Sequence, residues 1–149
     1  MGVKKFALYL HLVWATWDRE YWITPNIERR VYRNIVDQVH QLGCKTLAIN
    51  GMPDHVHLFL KFSTIVTIAE LVKKGKGVSS RFINQNCLID DHFKWQIGYG
   101  AFTVSRWDTE KVIMYVRKQK LHHNFGDLDM RLEEISNKKK RPSRDAQQS

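Results

Sequence analysis

The spacing of hydrophobic positions changes along the chain, and each change predicts an element. Branched and aromatic residues dominate residues 6–16, FALYLHLVWAT, and predict a first strand. Apolar residues then recur three or four positions apart from Ile27 to Leu42, which is typical of one face of an amphipathic helix. Pro25 is placed to start this helix, and Gly43 is placed to end it.

The later pattern alternates strands and helices again. Residues 45–50 and 55–62 predict two strands that pair as a hairpin across a short connection. The rest predicts a helix over 67–84, a strand over 94–105 that is broken at Gly98 and Gly100, and a last helix from 109 to about 123. The order βαββαβ with an extra helix predicts an α+β fold, a ferredoxin-like antiparallel sheet with its helices on one face. The last helix adds a C-terminal element that carries Tyr115.

Composition limits the domain count and the class of partner. A chain of 149 residues suits one domain, which we assign to residues 1–125, followed by a basic, flexible tail over 126–149. The net charge of +9 favours a polyanionic partner, because Lys and Arg release counterions from neutralised phosphates. Neither a long apolar run nor a signal segment is present, so we expect a cytoplasmic protein with no membrane partner. The two cysteines, Cys44 and Cys87, are expected to be free and buried.

A histidine pair on the third predicted strand is the first candidate for chemistry. Side chains two positions apart on a strand share one side, so His55 and His57 present two imidazoles together. Such a pair can bind a divalent cation, and Asp54 could orient one ring or cap the turn. On this pair alone, two hydrogen-bonded histidines at the sheet surface are an equally good interpretation.

A tyrosine on the last predicted helix is the second candidate. Tyr115 and Gln119 are four positions apart and share a helical face, with Arg117 and Lys118 alongside to engage phosphates. A phenol, with a pKa of about 10, attacks phosphorus only when charge on the phosphate is stabilised. A divalent metal supplies that stabilisation, and an amide oxygen can complete its coordination. A tyrosine simply packed under the sheet is the alternative.

Five segments together resemble the single-tyrosine transposases of the HUH endonuclease superfamily, the small enzymes of simple insertion sequences and their REP-associated relatives. The resemblance covers residues 5–124, most of the chain. It is carried by HLVWATWDRE (11–20), MPDHVHLFL (52–60), GKGVSSRFIN (75–84), WQIGYGAFTVS (95–105) and YVRKQKLHH (115–123).

The resemblance implies a role for each candidate. His55 and His57 match the ligands of a Mg²⁺ or Mn²⁺ ion, Gln119 matches a third ligand, and Tyr115 matches the nucleophile that forms a 5′-phosphotyrosine. It also implies a bacterial or archaeal cell, action on single-stranded DNA with hairpin ends, and no nucleotide cofactor. Insertion-sequence members are usually homodimers in which the tyrosine helix can serve the partner's histidines, whereas REP-associated members can be monomers; the short chain and the Gln119 match favour a homodimer here. The features do not separate the insertion-sequence branch from the REP-associated branch.

Basic residues crowd the second predicted helix. A solvated face and a track for a DNA backbone are comparably good interpretations of this set, which comprises Lys73, Lys74, Lys76 and Arg81. Among the five tryptophans, Trp17 and Trp22 are the better candidates to stack on unpaired bases, although packing is the stronger expectation. His11, on the first strand, could reach the candidate metal site, but a buried and hydrogen-bonded histidine is the stronger expectation.

Two rival functions use parts of the same pattern. A non-catalytic RRM-like module would bind single-stranded nucleic acid on a βαββαβ sheet, but the sequence has no recognisable RNP1 segment. A replication-initiator relay enzyme would use a similar histidine pair and tyrosine, but such proteins are usually larger. A catalytically inactive descendant is a further alternative, which the presence of His55, His57, Tyr115 and Gln119 makes less attractive.

Overall fold

The computed structural model describes residues 5–121. Its elements are β1 (Tyr9–Ala15), α1 (Glu28–Gln41), β2 (Lys45–Met52), β3 (His55–Lys61), α2 (Ile68–Gln85), β4 (Gly100–Val104) and α3 (Thr109–Arg117), with short 3₁₀ turns at Trp17–Arg19 and Arg106–Asp108. The predicted order of strands and helices is confirmed. The tail predicted over 126–149 lies outside the described residues.

The four strands form one antiparallel sheet in the order β2-β3-β1-β4. The two central strands, β1 and β3, are therefore the first and third in sequence, as a ferredoxin-like connection requires. Because side chains alternate along a strand, this arrangement gives the sheet two distinct faces.

One face packs against α1 and α2 and forms the larger core. Its strand residues are the even-numbered positions of β1 and β3: Leu10, Leu12, Trp14, Val56, Leu58 and Leu60. The apolar face of α1 contributes Val31, Ile35 and Val39, so the face predicted from the helical spacing is the face that is buried. The N-terminus of α2 is capped by Thr67, whose hydroxyl accepts from the Glu70 amide at 3.1 Å.

The opposite face is covered by α3. Val112 and Val116 of α3 pack on Ala48 and Phe59 of the sheet in a second, smaller core. The odd-numbered positions of β1 and β3 point toward this helix, and they include three histidines. The register of the central strands therefore places polar side chains under the last helix.

Several boundaries differ from the sequence prediction. The fourth strand is shorter than predicted: Trp95 makes an isolated bridge to Thr16, and Gly98, at φ 95°, lies in the segment that leaves the sheet before β4 begins. The first helix begins at Glu28 because residues 24–27 form a turn, in which the Thr24 carbonyl accepts from the amides of Ile27 and Glu28.

Two further features of the chain depart from expectation. The helix predicted from 109 to about 123 is interrupted by a turn at Lys118, after which residues 119–121 are helical again. Both cysteines are free as expected, but only Cys44 is buried; Cys87 is exposed. Within residues 5–121, no helix has the length and apolarity needed to cross a bilayer.

Candidate active site

Strand β3 places His55 and His57 side by side beneath α3. Both side chains are fully buried, and their ring centroids lie 5.1 Å apart with the planes at 74°. The pairing was predicted from their spacing on one strand, and the strand is present over His55–Lys61. Two imidazoles are thus held close together in a site shielded from bulk water.

A carboxylate holds the first imidazole. Asp54 Oδ1 lies 2.7 Å from His55 Nδ1, and Asp54 Oδ2 accepts from Arg19 Nε at 3.0 Å. Burial alone would raise the pKa of Asp54, but the hydrogen bond and charge of His55, with those of Arg19, outweigh it and hold the pKa below its ordinary value. Asp54 is therefore ionised at neutral pH and orients the His55 ring, which is one of the two roles expected for it.

Arg19 reaches Asp54 from a strained turn. Asp18 and Arg19 both have positive φ, 54° and 56°, which is unfavourable for residues with a side chain. The turn is held by the side chain of Gln96, whose Oε1 accepts from the Asp18 amide at 3.1 Å. Sequence reasoning missed Arg19, because nothing in the segment WDRE signals that this arginine meets a carboxylate 35 positions away.

A third histidine holds the second imidazole. His11 of β1 is fully buried, and its Nε2 lies 2.8 Å from His57 Nδ1. The two ring planes lie within 20° of each other, with centroids 5.0 Å apart, as expected for two imidazoles joined edge to edge by a hydrogen bond. His11 is therefore buried and hydrogen-bonded as expected, and its partner is one of the candidate ligands.

Helix α3 brings the candidate nucleophile to the same place. The ring centroid of Tyr115 lies 6.2 Å from that of His57, at an interplanar angle of 75°. Tyr115 is 9% exposed, and Gln119, just after the turn at Lys118, is fully buried. Tyr115 thus lies beside the histidines of its own chain, whereas Arg117 and Lys118 are exposed at the end of the helix.

The C-terminal end of α3 is anchored to strand β2. Asn50 Nδ2 donates to the Arg117 carbonyl at 2.9 Å, and Asn50 Oδ1 accepts from Lys120 Nζ at 2.9 Å. Lys120 also reaches the Gly51 carbonyl at 3.1 Å and Glu28 at 2.9 Å. These bonds stabilise the α3 terminus, where helical carbonyls otherwise lack partners.

Replacing Asn50 by Ala is expected to loosen this end of α3. Removing its hydrogen bonds costs about 1 kcal/mol of unfolding free energy, and the α3 amides should exchange faster with solvent. Hydrogen–deuterium exchange by mass spectrometry measures the change. Asn86→Ala is the matched control, since Asn86 Nδ2 donates to the Phe82 carbonyl at 2.8 Å at the end of α2. Equal exchange of α3 in both variants would contradict the anchoring role of Asn50.

The predicted donors have the chemistry needed to bind a divalent cation. Within residues 5–121, no three His, Cys, Asp or Glu side chains are grouped to hold a metal ion. The predicted donors are instead two imidazoles and the amide oxygen of Gln119, a nitrogen and oxygen set of the kind that binds Mn²⁺ and is compatible with Mg²⁺. In both rings Nδ1 is bonded to a neighbouring residue, Asp54 or His11, so Nε2 is the atom through which each ring would ligate.

The basic residues of α2 lie away from these histidines. Helix α2 packs on the sheet face opposite α3, with Lys73 and Arg81 exposed and Lys74 Nζ donating to Gln41 Oε1 at 3.0 Å. Lys76 is engaged by the protein, since its Nζ donates to the Gln96 and Gly98 carbonyls at 2.7 and 3.1 Å. Burial lowers the pKa of Lys76. Lys76 therefore has a structural role within the fold and differs in this from Lys73, Lys74 and Arg81.

The tryptophans favoured for base stacking are engaged within the fold. The Lys94 ammonium lies 3.7 Å from the Trp17 ring centroid, and the Trp22 ring packs against Phe93 at 5.3 Å. Trp107 is the exposed indole, at 79%, with the Arg106 guanidinium 4.4 Å from its ring centroid. Sequence reasoning did not single out Trp107, because an exposed and a packed tryptophan give the same local pattern.

Comparison with known proteins identifies one family over most of the chain. The family model "Transposase IS200 like" matches residues 4–119. The ISDra2 transposase TnpA of Deinococcus radiodurans is 27% identical over 119 residues, which span 76% of this chain and 85% of that protein. The family match includes both site histidines, Tyr115 and Gln119.

Two solved structures share the fold. A crystal structure of a protein assigned as a transposase from Deinococcus radiodurans has a TM-score of 0.63 at 26% identity and covers 80% of this chain and 98% of its own. The structure of a REP-associated tyrosine transposase bound to a REP hairpin has a TM-score of 0.61 at 10% identity and covers 83% of this chain and 74% of its own. The second likeness shows the fold alone, and both agree with the predicted α+β class.

Proposed function

The chain belongs to the family of IS200-like transposases, and we propose that it cuts and rejoins single-stranded DNA with Tyr115 as the nucleophile. One observation carries the proposal: α3 holds the Tyr115 ring 6.2 Å from the ring of His57, a candidate metal ligand on β3. The rings of His55 and His57 are each hydrogen-bonded through Nδ1, and packing against Tyr115 alone would not require this arrangement.

The proposed reaction is a transfer of the DNA phosphate to Tyr115. The phenol oxygen attacks phosphorus, a bond between Oη and phosphorus forms, and the bond from phosphorus to the 3′ oxygen breaks. The phenolic proton ends on the released 3′ oxygen, so the products are a 5′-phosphotyrosine and a 3′-hydroxyl. Attack by a 3′-hydroxyl on the phosphotyrosine reverses the step and joins two ends, and no nucleotide cofactor is consumed.

We assign a separate role in that step to each group of site residues. His55, His57 and Gln119 would hold a Mg²⁺ or Mn²⁺ ion, which would supply charge stabilisation at a phosphate oxygen. Asp54 keeps the His55 ring oriented. Helix α3 orients the phenol, and Arg117 and Lys118, exposed at its C-terminal end, would bind the flanking phosphates.

DNA with hairpin ends and a homodimer complete the proposal. The REP-associated structural relative is bound to a REP hairpin, which supports a hairpin substrate for this chain as well. The edge strand β4 and the exposed Trp107 next to it provide a surface on which a second copy could pack. The RRM-like alternative is less well supported, because RRM domains bind RNA on their sheet and α3 covers the sheet face opposite α1 and α2.

Covalent attachment to DNA tests the function directly. The full chain is incubated with a 5′- or 3′-labelled hairpin oligonucleotide that has single-stranded flanks, with Mn²⁺ or with EDTA. A 5′-phosphotyrosine keeps the downstream DNA fragment on the protein. We therefore expect the 3′ label to migrate with the protein on a denaturing gel, in Mn²⁺ only, and the 5′ label to be released on a free fragment. Free cleavage products with no protein-linked label in Mn²⁺ would rule out a tyrosine nucleophile.

The basic face of α2 can be tested separately from the chemistry. Replacing Lys73 and Arg81 by Ala should lower the slope of log affinity against log salt by about 0.7 for each single-strand phosphate that is no longer neutralised. Lys76→Met should leave the slope unchanged, because Lys76 Nζ is bonded to two carbonyls. It should instead destabilise the fold by about 1–3 kcal/mol, the cost of buried groups left without a partner.

Fluorescence anisotropy of a labelled single strand, titrated at several salt concentrations, measures these slopes. Thermal unfolding gives the stability of each variant. If Lys76→Met lowered the slope as much as the double substitution, the assignment of Lys76 to a structural role would be wrong.

A further inference from the structure

We propose that His11 is a positioning residue that holds His57 in the tautomer protonated at Nδ1, so that His57 Nε2 is presented to a divalent cation. The proposal rests on the function proposed above and adds a residue and a role to it. It depends on a hydrogen bond within the protein and on the chemistry of neutral imidazoles.

The rings of His11 and His57 lie next to each other on the sheet and are hydrogen-bonded. β1 and β3 are neighbours in which Val13 pairs with His57 and His11 pairs with Phe59, so the two histidines are diagonal neighbours on the face under α3. His11 Nε2 lies 2.8 Å from His57 Nδ1, and both side chains are fully buried. Solvent therefore does not compete for this bond, and the orientation of one ring determines that of the other.

A hydrogen bond between two neutral imidazoles has two arrangements. If His57 Nδ1 donates, the proton of His57 is on Nδ1 and its Nε2 carries the lone pair that binds a metal. If His11 Nε2 donates instead, His57 Nδ1 accepts and the proton of His57 is on Nε2, which then cannot ligate. A metal site at His57 therefore requires His11 to be the acceptor.

His55, the other candidate ligand, is also hydrogen-bonded through Nδ1, but its partner is a carboxylate. His55 Nδ1 lies 2.7 Å from a carboxylate oxygen of Asp54, an ionised group that can only accept. Both histidines are thus held through Nδ1, one by a carboxylate and one by an imidazole. The imidazole of His11 accepts without placing a second negative charge against the ligands.

Strand β4 supports the acceptor from its other side. Phe102 pairs with His11 across β1 and β4, and the two ring centroids lie 6.2 Å apart. The His11 ring is therefore confined between Phe102 and His57. This packing restricts the orientation of the His11 ring and so helps to keep its Nε2 directed at His57 Nδ1.

Metal binding and tautomer state together test the proposal. Mn²⁺ affinity of the full chain is measured by isothermal titration calorimetry for His11→Phe, which fills the space but cannot accept, and for His11→Gln, whose amide oxygen can accept. We expect His11→Phe to weaken Mn²⁺ binding about 10- to 100-fold, as is usual for loss of a partner that orients a ligand. His11→Gln should recover most of that loss, and His40→Phe, at an exposed position of α1, should leave affinity unchanged.

The second measurement requires no variant at position 11. Two-dimensional ¹H–¹⁵N spectra of the histidine rings in the metal-free protein show which nitrogen of His57 is protonated, with His57→Ala to assign the signals. We expect the Nδ1–H form. An Nε2–H form of His57, or Mn²⁺ affinity in His11→Phe equal to that of the unsubstituted chain, would overturn the proposal. If His57→Ala bound Mn²⁺ as well as the unsubstituted chain, the metal site of the proposed function would fail, and the tautomer result alone would decide the role of His11.

Discussion

Tyr115→Phe is expected to abolish the covalent protein–DNA adduct, lowering its rate of formation by more than about 10⁴-fold, because removing a nucleophile that acts as a unit with its neighbours costs up to about 10⁶. The substitution removes the phenol oxygen and keeps the ring, whose centroid lies 6.2 Å from that of His57. The fold should therefore persist, with a change in unfolding free energy of no more than about 1.5 kcal/mol. Adduct formation is followed on denaturing gels under Mn²⁺ with a labelled hairpin oligonucleotide.

Tyr9→Phe is the matched control for that experiment. Tyr9 lies on the same sheet face and packs against the second core, with its ring 6.3 Å from that of Phe59. The same oxygen is deleted from a ring that packs on Phe59 and is not the candidate nucleophile, so the adduct should form at close to the normal rate. An adduct that survives in Tyr115→Phe and is absent in Tyr9→Phe would mean that the chemistry belongs to the other tyrosine.

His57→Ala is expected to lower metal-dependent cleavage by at least about 10³-fold, because a bound metal contributes several kcal/mol of charge stabilisation in such reactions. Binding of the uncut hairpin should stay nearly intact, since phosphate contacts supply most of the affinity. Cleavage is measured with Mn²⁺ and binding by anisotropy with EDTA.

The substitution also affects stability, and a control separates the two effects. His57 is buried against His11, so its removal should cost about 1–3 kcal/mol because a buried hydrogen bond is broken. Cleavage is therefore compared at a temperature at which circular dichroism shows both proteins folded. His92→Ala, at an exposed histidine, should change neither property. Cleavage in His57→Ala at the normal rate with Mn²⁺ would contradict the proposed role of His57 as a metal ligand.

Local pattern was sufficient for much of the fold. The alternation of β1 and β3 and the helical spacing of α1 reflect interactions within a few residues, so the elements and their order could be predicted directly. The placement of His55 and His57 on one side followed from the same geometry, because adjacent odd positions of a strand share a face. Tyr115 and Gln119 could be grouped in the same way, although the turn at Lys118 between them could not be foreseen.

Where the pattern was incomplete, a distant contact decided the outcome. The fourth strand begins only at Gly100, and Lys76 of α2 binds the carbonyls of Gln96 and Gly98 in the segment before it. The sequence shows the glycines and the lysine, but it does not show that they meet. For the same reason the role of Lys76 could not be predicted. In the sequence it is one of several lysines of a basic helix, and only its contacts with the two carbonyls distinguish it.

The sequence by itself determined the elements, the sheet class, the pairing of His55 with His57, and the family resemblance, because each depends on residues that are near neighbours in the chain or on recurring motifs. The tertiary structure alone decided that His11 meets His57 across 46 positions, that Arg19 meets Asp54 across 35, and that Asn50 anchors the Arg117 carbonyl across 67. These contacts depend on strand register and on how α3 docks over the sheet. Both are set by the packing of the whole core, which local spacing does not encode.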